Sequence, residues 1–84
     1  MQIKFYPRFI KQLNKLPLDL QEEALTKIDL FIEDSQHPSL KNHKLHGRLR
    51  EYHSFSVNYV YRILYKIKDN EAIFAEIGTH DLYK

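Results

Sequence analysis

The alternation of apolar and polar positions is clearest between Tyr59 and Ile67, a run rich in aromatic and β-branched residues. This composition favours a β-strand. Because side chains alternate across a strand, one face would carry the core residues Tyr59, Tyr61, Ile63, Tyr65 and Ile67. Arg62 falls on the other face, and burying an unpaired guanidinium is costly. The pattern predicts a central strand with Arg62 directed away from the core.

Three further strands are predicted around this one, at Met1–Tyr6, Arg50–Val57 and Ala72–Gly78. Asn58 tolerates the left-handed conformation of a tight turn, and Asp69-Asn70 marks a hairpin. In the last strand Ile73, Ala75 and Ile77 share one parity, and if they face the helices, Glu76 and the continuation to His80 lie on the side of Arg62.

The first of two predicted helices begins at Pro7, since the first helical position tolerates the missing N–H of proline. Its apolar residues recur at helical spacing and are Phe9, Ile10, Leu13 and Leu16. Pro17 is expected to end it.

The second predicted helix starts near Asp19, which has capping-box spacing to Glu22. Glu23 lies four residues before Lys27 and can support the helix by an ion pair. The helix is expected to stop near Asp34 and to bury Leu20, Ala24, Leu25, Ile28, Phe31 and Ile32. The element order βααβββ predicts an α+β domain spanning residues 1–84, with a helical hairpin on one face of a small, mostly antiparallel sheet. The other face is expected to be open.

Composition restricts the function classes. The chain has 84 residues, 43% hydrophobic and 29% charged, which is typical of one folded domain. It contains no cysteine, so disulfides and thiolate chemistry are excluded, and this suits a reducing cytoplasm. No apolar run has the ~20 residues of a membrane span, and the N-terminus does not resemble a signal peptide. We expect a cytoplasmic protein without a membrane partner.

Positive charge is concentrated in the predicted loop Ser35–Leu49 and at its end. The net charge is +2, yet no acidic residue lies between Asp34 and Glu51, and the rest of the chain is net acidic. The segment contains four cations and three of the five histidines, which are Lys41, Lys44, Arg48, Arg50, His37, His43 and His46. Such a segment indicates either contact with a polyanion or a solvated basic loop.

Several side chains could carry chemistry. Arg62 can lie near Glu76 or His80 across the sheet, where it would make either a structural ion pair or a functional site. His80 follows the last strand, and histidine can transfer protons near neutral pH. His43 and His46 are spaced as a possible metal pair, but no third or fourth ligand is evident, so no metal or other cofactor is expected. Lys44, Arg48 and Arg50 are interpreted as phosphate contacts. His37 and His53 are assigned no role.

Three segments resemble the RelE/ParE superfamily of toxins, specifically the RelE/StbE and YafQ-like mRNA interferases. They are Asn42-His43-Lys44-Leu45-His46-Gly47, Tyr61-Arg62-Ile63-Leu64-Tyr65 and Ile77-Gly78-Thr79-His80-Asp81-Leu82-Tyr83. The chain length and the βααβββ order agree with that family.

The resemblance implies a type II toxin. Such a toxin is a metal-independent endoribonuclease that cuts mRNA on the ribosome and is held inactive in a hetero-oligomer with an antitoxin. It implies attack by a 2′-hydroxyl on the adjacent phosphate. By match to the motifs, the expected catalytic residues are His80, His43, Arg62 and Tyr83. The expected substrate-binding residues are Lys44, His46, Arg48 and Arg50. The sequence departs from this pattern at three positions. Relatives closest in pattern tend to have Trp in place of His53 and Asp in place of Val60, and YafQ-like members have His in place of Ser56.

Two other functions share this fold. A ParE-like inhibitor of DNA gyrase would need no histidine pair and no phosphate site. A catalytically inactive member would bind RNA or an antitoxin without cleaving RNA.

Overall fold

The computed structural model describes residues 2–83; Met1 and Lys84, which the predicted strand and domain include, lie outside them. The described part contains two helices and five strands: β1 (Gln2–Phe5), α1 (Pro7–Asn14), α2 (Leu18–Glu33), β2 (His43–Lys44), β3 (His53–Ser56), β4 (Arg62–Lys68) and β5 (Glu71–Gly78). Short 3₁₀ turns lie at Pro38–Leu40, Gly47–Leu49 and His80–Tyr83. None of the helices in residues 2–83 has the length and apolar composition that a membrane span requires.

The strands form one sheet in the order β1-β5-β4-β3-β2. β1 pairs with β5 in parallel, and the other neighbouring strands are antiparallel. The predicted α+β class is therefore confirmed. β2 was not predicted, because two residues inside a polar loop show no alternation that could be recognised.

The core is centred on Phe74 of β5, whose side chain is fully buried. Its ring centroid lies 5.6 Å from that of Phe9 in α1 and 5.5 Å from that of Phe31 in α2. Its ring centroid also lies 6.1 Å from that of Tyr65 in the neighbouring β4 and 5.8 Å from that of Phe55 in β3, one strand further on. Both helices thus pack on the same sheet face through aromatic rings, a contact type that contributes beyond the buried area alone.

The predicted faces of the last strand are wrong in part. Leu64 pairs with Glu76 but Tyr65 pairs with Phe74, so Ala75 is an extra residue in β5. This bulge reverses the alternation between its two sides. Phe74 therefore faces the helices in place of Ile73, while Ile77 still joins the core.

The central strand begins later than predicted, at Arg62. Asn58 Oδ1 accepts hydrogen bonds from the backbone N–H groups of Val60 and Tyr61, both at 2.8 Å, and so closes a turn. Tyr59 consequently leaves the sheet and is 91% exposed, not part of the core. Asn58 does not take a positive φ, whereas Asp69 and Asn70 do, at 52° and 63°, as their hairpin predicts.

Some helix details also differ from the prediction. α2 begins one residue before Asp19, after Pro17, with no side-chain cap, so no capping box forms. Glu23 accepts a hydrogen bond from Asn58 and makes no salt bridge to Lys27 within residues 2–83. α1 ends at Asn14, before Pro17. Several apolar residues expected in the core lie on outer surfaces, namely Ile10, Leu25, Ile32 and Ile67.

Candidate functional site

The sheet face opposite the helices carries the predicted arginine. Phe55 and Ile63 are paired across β3 and β4 and belong to the core, so their neighbours Ser54, Ser56 and Arg62 point to the other face. Arg62 lies opposite Ser56, and its Nη1 donates a hydrogen bond to Ser56 Oγ. A serine hydroxyl thus orients the guanidinium without neutralising its charge.

The chain after β5 folds back over this face. Gly78 lies opposite Arg62, and Leu82 packs above Gly78. The Tyr83 hydroxyl is 2.6 Å from Ser54 Oγ, and the His80 ring meets the Tyr83 ring edge-on at a centroid distance of 5.7 Å. The face expected to be open is therefore partly covered, and the covering turn brings His80 and Tyr83 toward the strands that carry Arg62.

One cation of the basic segment joins this turn. Gly47 adopts a φ of +68°, a conformation that glycine takes without steric cost. The 3₁₀ turn that starts there carries Arg48, whose Nη2 donates a hydrogen bond to the Tyr83 carbonyl at 3.3 Å.

His43 is the first residue of β2. It lies directly opposite Ser54 in the ladder, so both side chains belong to the same sheet face. Its Nδ1 is 2.9 Å from the Lys41 carbonyl oxygen. A carbonyl only accepts, so Nδ1 carries the hydrogen, and in the neutral ring Nε2 has the free lone pair.

The remaining predicted substrate-binding residues lie apart from Tyr83. Lys44 and Arg50 line a cavity of about 470 Å³ with His53, Lys66 and Lys68. His46 is exposed and precedes the 3₁₀ turn. The predicted set therefore divides between the face of Arg62 and the start of β3.

The alternative of an Arg62–Glu76 ion pair is wrong. Glu76 Oε1 lies 3.2 Å from Arg8 Nε and accepts a hydrogen bond from Gln12 Nε2 at 3.2 Å, both from α1. Within residues 2–83, neither of the two salt bridges involves Arg62. The positive charge of Arg62 is thus not matched by a bonded carboxylate there.

His53 belongs to the helix side of the sheet. Its ring stacks on Tyr65 at a centroid distance of 5.1 Å. Burial, and then the charges of Lys44 and His43, lower the pKa of His53. This environment favours a neutral ring.

Sequence reasoning did not identify Ser54 and Ser56 as part of the site. The signal was present, because two serines alternate with Phe55 and Val57 in an otherwise apolar strand. Both are buried, at 0% and 6% exposure, and both bond to predicted site residues. Across residues 2–83, no group of three or more His, Asp or Glu side chains is arranged to hold a metal ion.

The sequence matches no protein-family model and no curated protein. Solved structures do match the fold. YafQ from E. coli strain BL21(DE3) is 19% identical with a TM-score of 0.81, covering 98% of this chain and 96% of YafQ. A YoeB/ParE toxin from Agrobacterium tumefaciens is 13% identical with a TM-score of 0.79, covering 95% and 99%. The E. coli DinJ–YafQ toxin–antitoxin complex contains a chain 20% identical with a TM-score of 0.77, covering 96% and 93%. The chain therefore has the fold of the YafQ and YoeB/ParE toxins, as its resemblance to the RelE/ParE superfamily predicts.

Proposed function

We propose that this protein is the toxin of a type II toxin–antitoxin system, and that it is a cytoplasmic endoribonuclease cutting mRNA in the ribosomal A site. The observation that carries the proposal is the convergence on one sheet face of Arg62, Arg48 and the His80–Tyr83 turn. The fold shared with YafQ and YoeB supports the same function.

The proposed reaction uses the RNA as its own nucleophile. A base removes the proton of a 2′-hydroxyl, O2′ bonds to the adjacent phosphorus, and the bond from phosphorus to O5′ breaks. An acid protonates the departing O5′, so the products are a 2′,3′-cyclic phosphate and a 5′-hydroxyl. Cations are needed because negative charge grows on the phosphoryl oxygens in the transition state.

The proton-transfer roles are assigned to the two histidines. The hydrogen bond of His43 Nδ1 to the Lys41 carbonyl leaves Nε2 able to accept a proton, so His43 is the base. His80 is then the acid that protonates O5′, with its ring held against Tyr83.

Arg62 and Arg48 are assigned to the phosphate. A guanidinium keeps its charge at physiological pH and can bind two phosphate oxygens at once. Ser56 orients Arg62 before substrate arrives, so little reorganisation is required during the reaction.

An antitoxin is the proposed partner. The segment between Asp34 and Glu51 is free of acidic residues, so an acidic antitoxin segment would be complementary to it and would compete with RNA. YafQ occurs in a solved complex with DinJ, which supports a hetero-oligomer of this kind.

The test is cleavage of translated mRNA by purified variants. His80→Gln should lower the rate about 10²–10⁴-fold, the usual contribution of a general acid, with ribosome binding retained. Arg62→Ala should lower it about 10²–10³-fold, by analogy with the loss of one donor to a developing oxyanion.

A substrate with sulfur in place of the bridging O5′ separates the two histidines. A thiolate leaves without protonation, so it should restore cleavage by His80→Gln and not by His43→Gln. Normal cleavage by His80→Gln on the ordinary substrate would refute the catalytic assignment. Growth arrest with intact messages and inhibited supercoiling would instead indicate a gyrase inhibitor.

A further inference from the structure

A second cavity is lined in part by Arg62. It has a volume of about 300 Å³ and lies between α2, the chain after the first 3₁₀ turn, and the turn that joins β3 to β4. Its lining includes Lys27, Ser39, Lys41, Tyr59 and Arg62. The roles assigned above use only Arg62 from this set.

Tyr59 presents an aromatic ring to solvent from a fixed turn. Its exposure of 91% is the highest among the large apolar side chains of residues 2–83. Asn58 holds the turn through the N–H groups of Val60 and Tyr61, and the Val57 N–H donates to the Tyr61 carbonyl at 2.9 Å. The ring is therefore carried by an ordered backbone, which lowers the entropy lost when a flat ligand stacks on it.

Lys41 is positioned beside this ring. Its ammonium lies 5.7 Å from the centroid of the Tyr59 ring. Its backbone has a φ of 49°, uncommon for lysine, and its N–H bonds to the Pro38 carbonyl at 3.2 Å. An aromatic ring next to a lysine is a combination that binds single-stranded nucleic acid, since the base stacks and the phosphate meets the cation.

The charge of the cavity is also unbalanced. Lys27, Lys41 and Arg62 line it, and the two salt bridges within residues 2–83 involve Lys4 and Arg8 instead. The nearby carboxylate of Glu23 accepts a hydrogen bond from Asn58 at 2.7 Å. A cavity lined by three cationic residues and one aromatic residue favours an anionic ligand with a flat group.

We propose that this cavity is a nucleotide subsite in which a base of the bound RNA stacks on Tyr59 while Lys27 and Lys41 hold the flanking phosphates. This inference rests on the proposed function, because Arg62 would join the subsite to the phosphate that is cleaved. Every base has a flat face to stack, so the subsite holds the strand without reading its sequence.

The test measures the affinity of the purified protein for a 2′-O-methyl RNA hexanucleotide, which cannot be cleaved, by fluorescence anisotropy over a salt series. Tyr59→Ala should weaken binding about 5- to 100-fold, and Tyr59→Phe should bind like the unaltered protein because stacking needs the ring and not the hydroxyl. The exposed position of Tyr59 means that its replacement removes little packing.

The roles of Lys27 and Lys41 are tested by removing their charges and measuring the salt dependence of RNA binding. Lys27→Gln with Lys41→Gln should reduce the slope of log affinity against log salt by about 1.4, at about 0.7 per phosphate contact on a single strand. Lys11→Gln in α1 with Lys15→Gln directly after it removes the same charge elsewhere and should leave the slope unchanged. An equal change in both pairs would overturn the subsite in favour of general electrostatic attraction.

Cleavage separates this proposal from the function on which it rests. Tyr59→Ala should raise KM for programmed ribosomes more than it lowers kcat. If the unaltered protein cuts mRNA and Tyr59→Ala binds and cuts equally well, the subsite is refuted and the nuclease stands. If the unaltered protein cuts nothing but binds the hexanucleotide through Tyr59, the nuclease is refuted and the subsite stands. Loss of antitoxin affinity alone in Tyr59→Ala would overturn the subsite and assign the ring to the antitoxin.

Discussion

Arg62 carries a charge that no salt bridge in the described part of the chain neutralises, although it lies next to a buried residue of the sheet. Its flanking residue Ile63 is fully buried, yet its guanidinium keeps a charge that no carboxylate within residues 2–83 neutralises by a salt bridge. The hydroxyl of Ser56 accepts a hydrogen bond from one donor of this guanidinium, and Gly78, which lies opposite Arg62, is covered by Leu82. The fold thereby keeps a cation that is oriented and still available for an anionic ligand.

The pKa of His53 gives a prediction at the same scale. Burial first, and then the charges of Lys44 and His43, lower the pKa of His53 in the folded protein. The unfolded chain therefore binds a proton at a higher pH than the folded protein does. Stability from the neutral ring is complete above the ordinary histidine pKa of about 6.5, and it is lost as the pH falls through the lowered folded pKa.

We expect the free energy of unfolding by urea to fall between about pH 7.5 and about pH 5.5, and to fall less in His53→Phe. Phenylalanine keeps a ring to stack on Tyr65 but does not titrate. The other histidines are present in both proteins, so the difference between the two curves isolates His53. Parallel curves would mean that burial does not perturb this ring.

At the scale of the elements, the packing of the His80–Tyr83 turn on β5 sets the position of His80 and Tyr83. A Cβ added at Gly78 would lie 3.0 Å from Leu82 Cδ2 and 3.2 Å from Leu82 Cγ. Gly78→Ala should therefore displace the His80–Tyr83 turn and lower mRNA cleavage by up to about 10²-fold, since small misplacements of reacting groups are costly. The sheet and its core should remain folded, which circular dichroism and urea unfolding would check.

A double-mutant cycle identifies the cause. Leu82→Ala removes the atoms that the new Cβ would meet, so adding Gly78→Ala to it should reduce cleavage no further. Independent, additive losses in the two variants would show that Gly78 acts through its backbone and not through Leu82.

The elements also show what the sequence could predict. The start of α1 and the Asp69-Asn70 hairpin follow from local chemistry, through Pro7 and two residues that tolerate positive φ. The bulge at Ala75 does not, because it depends on how β5 pairs with β4, and both parities of this strand contain apolar residues. Tyr59 was misplaced because its aromatic ring fits a strand, while the side chain of Asn58 instead closes a turn around it.

The candidate site was also predicted only in part from the sequence. Arg62, His80, Tyr83 and Arg48 could be selected by motif and charge, and the structure brings their segments to one face. Their catalytic roles remain predictions. Ser54 and the cavity beside Tyr59 were missed, since both become visible only when separate elements are placed together.

For the whole molecule, the distribution of charge predicts how binding to RNA responds to salt. Replacing Lys44, Arg48 and Arg50 together by Gln should weaken binding to programmed ribosomes and reduce its salt slope by about 2, at about 0.7 per phosphate contact. Arg48→Gln alone should also lower cleavage, because Arg48 is the member of the three that bonds to the C-terminal turn. An unchanged slope in the triple variant would make this segment a solvated loop.

The parallel pairing of β1 with β5 has a consequence for biosynthesis. β1 is synthesised before β5 but pairs with it. Phe5 and Phe74 occupy opposite positions in the ladder and join the same aromatic cluster. Contacts between residues so distant in the chain form slowly, and here they cannot form until β5 has been made. The sheet therefore remains incomplete at β1 until β5 has been synthesised. The proposed site would thus also be incomplete until β5 has been made, since Gly78 of β5 lies opposite Arg62 and precedes the His80–Tyr83 turn.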